Sequence, residues 1–246
     1  MHVPMGSADP GARLRLYRRA GETLSVFFGR WTGVFCSRCL EVTARGHVGE
    51  LGAAAELVQG RFPGCCQAGV AEALSVPCRG GTVAFPAGLA EQMVAARAAL
   101  VSGTDSPGRF TLRETASGRL VKGRGCRHLG DRGCRLGALK APLCLTYLCP
   151  AGRAALEDAA GAGCCGADAG DFCGSADALR AVVAAPLEEA EEQVARLEAR
   201  LGHLTRCLEH AGVRCGQDLL NRWLGAAAAV PENPGRGREQ PVVPGT

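Results

Sequence analysis

From residue 187 to 208 the apolar residues Leu187, Ala190, Val194, Leu197, Leu201, Leu204 and Leu208 recur at alternating steps of three and four. That spacing draws one stripe along a helix and, sustained over three heptads, reads as a coiled-coil seam. Pro186 suits the entry to such a helix. The seam has two candidate partners: the chain's own helices, predicted over 178–185 and 218–229, or a second protein, including a second copy. Three heptads that contain Gly202 are marginal as a free-standing coiled coil, which favours packing within the chain.

Elsewhere the pattern is weaker. Leu24–Phe28 (LSVFF) reads as a strand, and residues 48–62 as a helix ended by Pro63. Leu89–Val101 predicts a helix with a small-residue face, and RFTLRETASGRLVKG a β-hairpin turning at Ala116-Ser117-Gly118. The first 20 residues read as a flexible basic arm, and PENPGRGREQPVVPGT as a disordered tail. The expected fold is mainly α with a small β-hairpin. Its expected parts are the arm (1–20), a cysteine-cluster metal-binding domain (21–176), a C-terminal helical hairpin carrying the seam (177–230) and the tail (231–246).

Composition changes this picture in one respect. The chain has 246 residues, 14 of them cysteine, while aromatics make up only 4%. A chain of this length can bury a core without disulfides, but this one has few large anchors for it. The net charge of +4 is too small to argue for nucleic acid or a membrane surface. RLRLYRR at Arg13–Arg19 reads as solvated rather than as an RNA contact. No apolar h-region follows the basic start and no run approaches the ~20 residues of a membrane span, so a cytoplasmic, non-membrane protein is expected. In a reducing compartment, clustered cysteines point to metal or redox chemistry before structural bridges.

Eight cysteines form the pattern. Cys36-x2-Cys39 is followed, after 25 intervening residues, by the adjacent pair Cys65-Cys66; then come Cys126-x7-Cys134-x9-Cys144-x4-Cys149. Two residues between thiols let both face one ion across a turn. Glycines 125, 130, 133 and 137 permit the loop to wrap closely, and Pro142 and Pro150 stiffen the approach to Cys144 and the exit from Cys149. Gathering thiolates is unfavourable without a cation, because each must lose its proton beside others of like charge. Four-thiolate zinc and [4Fe–4S] centres share this ligand set. The wide, uneven spacing and the Cys-Pro step favour an iron–sulfur cluster over zinc.

The run GCRHLGDRGCRLGALKAPLCLTYLC, with the upstream Cys-x-x-Cys and Cys-Cys pairs, resembles the CxxCxxCC (YkgJ-like) cysteine-cluster family of zinc- or iron-chelating proteins. The likeness spans roughly residues 30–150. Cys126, Cys134, Cys144 and Cys149 match the family's later cysteines. Cys36, Cys39, Cys65 and Cys66 would correspond to its compact first box, here split in two, and Ala141-Pro142 stands where Arg-Pro is usual. The resemblance implies metal or iron–sulfur binding, with a link in some relatives to protein methylation.

Other thiols read differently. Cys78, Cys207 and Cys215 are expected as small buried hydrophobes. Cys164, Cys165 and Cys173, in a glycine-rich loop, stay open between extra ligands and a redox pair. His128 could replace a thiolate, although a hydrogen-bonded histidine is commoner, and His47, His203 and His210 read as ordinary helix residues. GAGCCG at 161–166 fits a dinucleotide fingerprint only formally, since a helical run precedes it. No acid/base pair or nucleophile constellation assigns an enzyme activity. A thiol-redox enzyme using Cys65-Cys66 or Cys164-Cys165 ranks last, because bridging neighbouring cysteines strains the peptide.

Overall fold

A computed structural model describes residues 9–37, 73–78, 81–101, 111–114, 120–123, 128–130, 133–146, 148, 150–161 and 172–229. Helix α1 runs Pro10–Trp31. It starts where the Asp9 carboxylate accepts from Gly11 N–H (2.9 Å) and Pro10 occupies the first turn, whose N–H groups need no helical partner. It stops at Thr32, whose N–H and hydroxyl both bond to the Phe28 carbonyl (2.9 and 3.2 Å). Its buried face is Arg13, Leu16, Tyr17, Ala20, Gly21, Leu24, Phe27 and Trp31, a helical stripe through the whole length.

That stripe corrects two expectations. Leu24–Phe28 is helix, not strand; five apolar residues cannot be told from a buried helix turn by periodicity alone. Residues 10–20 are not a flexible arm either, because Leu16, Tyr17 and Ala20 continue the same stripe and enter the core. Even the basic residues take part. Arg13, 8% exposed, donates to the carbonyls of Val182 (2.5 Å) and Ala185 (2.8 Å). Burial lowers the pKa of its guanidinium from the usual value. Arg13→Met keeps the stem but abandons two acceptors, so a loss of about 2 kcal/mol in denaturant unfolding is expected, the usual scale for bonds to a charged donor.

The carbonyls that Arg13 binds close helix α6 (Ser175–Ala184), which turns through Ala185-Pro186 into α7 (Leu187–His210). In α7, Ala190, Val194, Leu197, Leu201, Leu204 and Leu208 are at most 3% exposed, and the helix continues unbroken through Gly202. The seam packs on α6 and α1, so the coiled-coil alternative loses its surface. Arg19 pairs with Glu198 and Arg30 with Glu209; both partners advance by eleven, so α1 and α7 run parallel. These exposed pairs set register more than stability. Helix α8 (Gly216–Ala229) follows, bringing Trp223 edge-on to Phe35 of α2 (Gly33–Ser37), with centroids 6.2 Å apart.

Among the described residues there are also three two-stranded antiparallel ladders. Ser75–Cys78 (β1) pairs with Gly81–Ala84 (β2). Thr111–Glu114 (β3) pairs with Leu120–Gly123 (β4) in the register expected of the predicted hairpin, and Leu129–Gly130 (β5) pairs with Gly133–Cys134 (β6). Helix α3 (Ala87–Val101) covers the predicted 89–101 helix. Short helices α4 (Pro142–Thr146) and α5 (Pro150–Ala160) precede α6. The described residues are mainly helical. One core cluster extends from Leu16 through Val76, Leu89 and Leu145 to Trp223, so the change of character near residue 176 does not interrupt the hydrophobic interior. The predicted helix at 48–62 and the tail lie outside the described residues.

Candidate metal centre

Cys134 and Cys144 lie in the stretch 133–146, which follows His128 and strand β5. Ladder β5–β6 sets Leu129 opposite Cys134, and Arg135 N–H closes it on the His128 carbonyl (2.8 Å). The chain then makes a 3-10 turn over Gly137–Leu139, entered by Gly137 in the left-handed region (φ 50°) that glycine adopts without strain. Pro142 begins α4, and Cys144 lies in its middle. Leu136, Leu139, Ala141, Pro142, Leu145 and Thr146 are all buried. The stretch between the two thiols is therefore packed, with Cys134 and Cys144 themselves half-buried.

Helices α1 and α3 hold this stretch by its carbonyl oxygens. Tyr17 Oη donates to Lys140 O (2.6 Å), Arg97 Nε to Leu139 O (2.8 Å), and Ser25 Oγ to Gly137 O (3.3 Å). Gly21 lets the turn approach: a Cβ built there would stand 2.1 Å from the Ala138 oxygen. Three consecutive turns of α1 thus present a hydroxyl, a bare backbone and a second hydroxyl to one short loop. Phe85 packs edge-on against the Tyr17 ring (5.5 Å). The residues that do this holding, Tyr17, Gly21, Ser25 and Arg97, were not predicted as parts of the site. The available signal was modest: a glycine on the apolar face of an amphipathic stretch marks a close approach.

Tyr17 also reports the electrostatics. It is fully buried, and desolvation drives its hydroxyl well above the ordinary tyrosine pKa; the positive Arg97 opposes that shift and the Cys144 thiol adds to it. Arg97 and Cys144 are therefore both within electrostatic reach of one hydroxyl. Because the folded pKa is the raised one, this group's contribution to stability is complete below about pH 10, the unfolded value, and is lost as pH rises above it. An ultraviolet titration is expected to show one of the two tyrosines, Tyr17, staying protonated until alkaline unfolding. Ionisation of both in the folded protein would contradict this.

Of the eight predicted ligands, the structure positions the side chains of Cys134 and Cys144, one on each side of the anchored turn. Cys36 belongs to α2, but its side chain, like Cys39, Cys65, Cys66, Cys126 and Cys149, lies outside the described residues. Among the described residues no group of three or more His, Cys, Asp or Glu side chains is placed to hold a metal. His128 is buried beside β5, 7% exposed. Cys164 and Cys165 fall outside the described residues.

The other thiols correct their expectations. Cys173 is buried in the core with φ 53°, and its carbonyl accepts from Arg200 (3.4 Å). Cys215 is exposed and Cys207 only half-buried, so neither is the small buried hydrophobe expected of a free cysteine. Helix α7 buries Leu204 and Leu208 rather than Cys207, and Cys215 lies just before α8, which begins at Gly216 and buries Leu219 and Leu220.

No helix among the described residues is long and apolar enough to cross a membrane. No protein-family model, curated protein or solved structure matches the chain.

Proposed function

We propose that the protein binds a metal centre through clustered cysteine thiolates, an iron–sulfur cluster in the favoured form and zinc in the other. The ligands are drawn from Cys36, Cys39, Cys65, Cys66, Cys126, Cys134, Cys144 and Cys149. The observation that carries this reading is the placement of Cys134 and Cys144. Both are half-buried and outside the core cluster, and both flank a turn that two helices anchor through three carbonyls. Cys173, by contrast, is in the core. Thiolates on a stiff, glycine-bearing turn suit a soft cation, and the turn's anchoring would hold the two donors in place before the metal arrives. The likeness to the YkgJ-like cysteine-cluster family points the same way. An intracellular role in electron transfer, iron handling or support of a modifying enzyme is consistent with such a centre.

The test is stoichiometry. Protein purified without oxygen is expected to carry iron and acid-labile sulfide in near-equal amounts per chain; zinc without sulfide would select the structural-zinc form. No stoichiometric metal would end the proposal. In the same preparation Tyr17→Phe, which removes the bond to Lys140 O, is expected to cost about 1 kcal/mol of stability and to weaken metal retention. Unchanged retention would show that the anchoring serves the fold alone.

A further inference from the structure

We propose that His203 and Cys207, on the outer face of α7, form a second and separate metal site, a two-donor chelate for a zinc-class divalent ion. Neither residue belongs to the cysteine cluster. The two residues are four apart, so they lie one above the other on the helix, the spacing at which paired ligands on one helix face grip zinc. Cys207 Sγ and His203 Nε2 are 3.6 Å apart. Zinc–sulfur and zinc–nitrogen bonds of about 2.3 and 2.0–2.1 Å, meeting at the tetrahedral angle, separate the two donors by about 3.6 Å. The side chains therefore already stand at the bite distance of one ion, and a modest ring rotation aims the nitrogen lone pair at it.

Thiolate and imidazole are also the donors a soft-to-borderline ion selects. Binding would transfer the thiol proton to solvent as the metal–sulfur bond forms. His203 is exposed and Cys207 half-buried, so an ion can reach them. Cys207 lies in the last turn of α7, which ends at His210, and a cation is favoured at that negative end of the helix dipole. No third described His, Cys, Asp or Glu joins the pair, so water would complete the coordination. The ion would then keep open positions, as exchangeable sites do.

Site-resolved alkylation of the full-length chain tests this. Cysteine modification by iodoacetamide is followed peptide by peptide while free Zn2+ is set with a metal buffer. Zinc is expected to slow modification of Cys207, and His203→Gln to raise the zinc needed by about tenfold or more. Cys215, an exposed thiol with Ala211 rather than histidine four residues before it, is expected to stay unprotected over the same range. Absence of protection at Cys207, equal protection at Cys215, or protection unchanged by His203→Gln would each overturn the proposal. Protection of the peptides carrying the clustered cysteines is read separately, so the two metal sites can fail independently.

Discussion

Leu204→Asp is expected to unfold the protein, not to dissociate an oligomer. Leu204 is completely buried in the C-terminal half of the α7 seam, which rests on α6 and α1. A carboxylate there has no partner and no water, and must either stay charged at heavy cost or take up a proton. Adding the lost contacts of the leucine gives a penalty of more than about 4 kcal/mol, the range reserved for buried unpaired charge and large cavities. Set against a typical domain stability of about 5–15 kcal/mol, that leaves little or nothing. Circular dichroism and denaturant titration would register it. The contrary result, a folded variant whose only change is a smaller mass in solution, would restore the intermolecular coiled coil.

The second large effect comes from adding atoms. Gly21→Val places a branched side chain where even a Cβ would stand 2.1 Å from Ala138 O and 2.9 Å from its carbonyl carbon. Backbone cannot yield as a side-chain tip can, so either α1 shifts or the turn leaves it, breaking the Tyr17 and Ser25 bonds. A loss of about 3 kcal/mol is expected, at the upper end for overpacking, together with faster alkylation of Cys134 and Cys144. Gly29 on the same helix supplies the control. Nothing lies within 4 Å of its hypothetical Cβ, so Gly29→Ala is expected to stabilise by about 0.5–1 kcal/mol from helix propensity alone. Equal effects at both positions would mean that the turn is not held against α1 as described.

How much of this was legible in the sequence depends on how local the signal was. The α7 seam, the 89–101 helix and the 109–123 hairpin were readable because each carries its own periodicity or turn chemistry. Helix α1 was missed because its apolar stripe is interleaved with arginines, one of which, Arg13, is itself buried against carbonyls 169 and 172 residues away. Nothing local to Arg13 marks it as an internal cap. The candidate centre divides the same way. The spacing of the thiols could be written down directly, but the supports of the turn between Cys134 and Cys144 come from residues 17, 21, 25 and 97, joined to it only by the fold. The seam divides likewise: its heptad spacing predicts a helix and a buried stripe, and its short length favours cover from within the chain by the 178–185 helix, but nothing in it names α1 as the other covering helix.

X-ray absorption at the edge of the bound metal tests the central claim most directly. The account predicts a first shell made of sulfur, at about 2.3 Å if the metal is zinc, joined by a metal–metal scatterer if the centre is an iron–sulfur cluster. It also predicts that Cys134→Ser and Cys144→Ser lose that shell or weaken it. A first shell of nitrogen and oxygen alone, or one unaltered in both variants, would contradict the account.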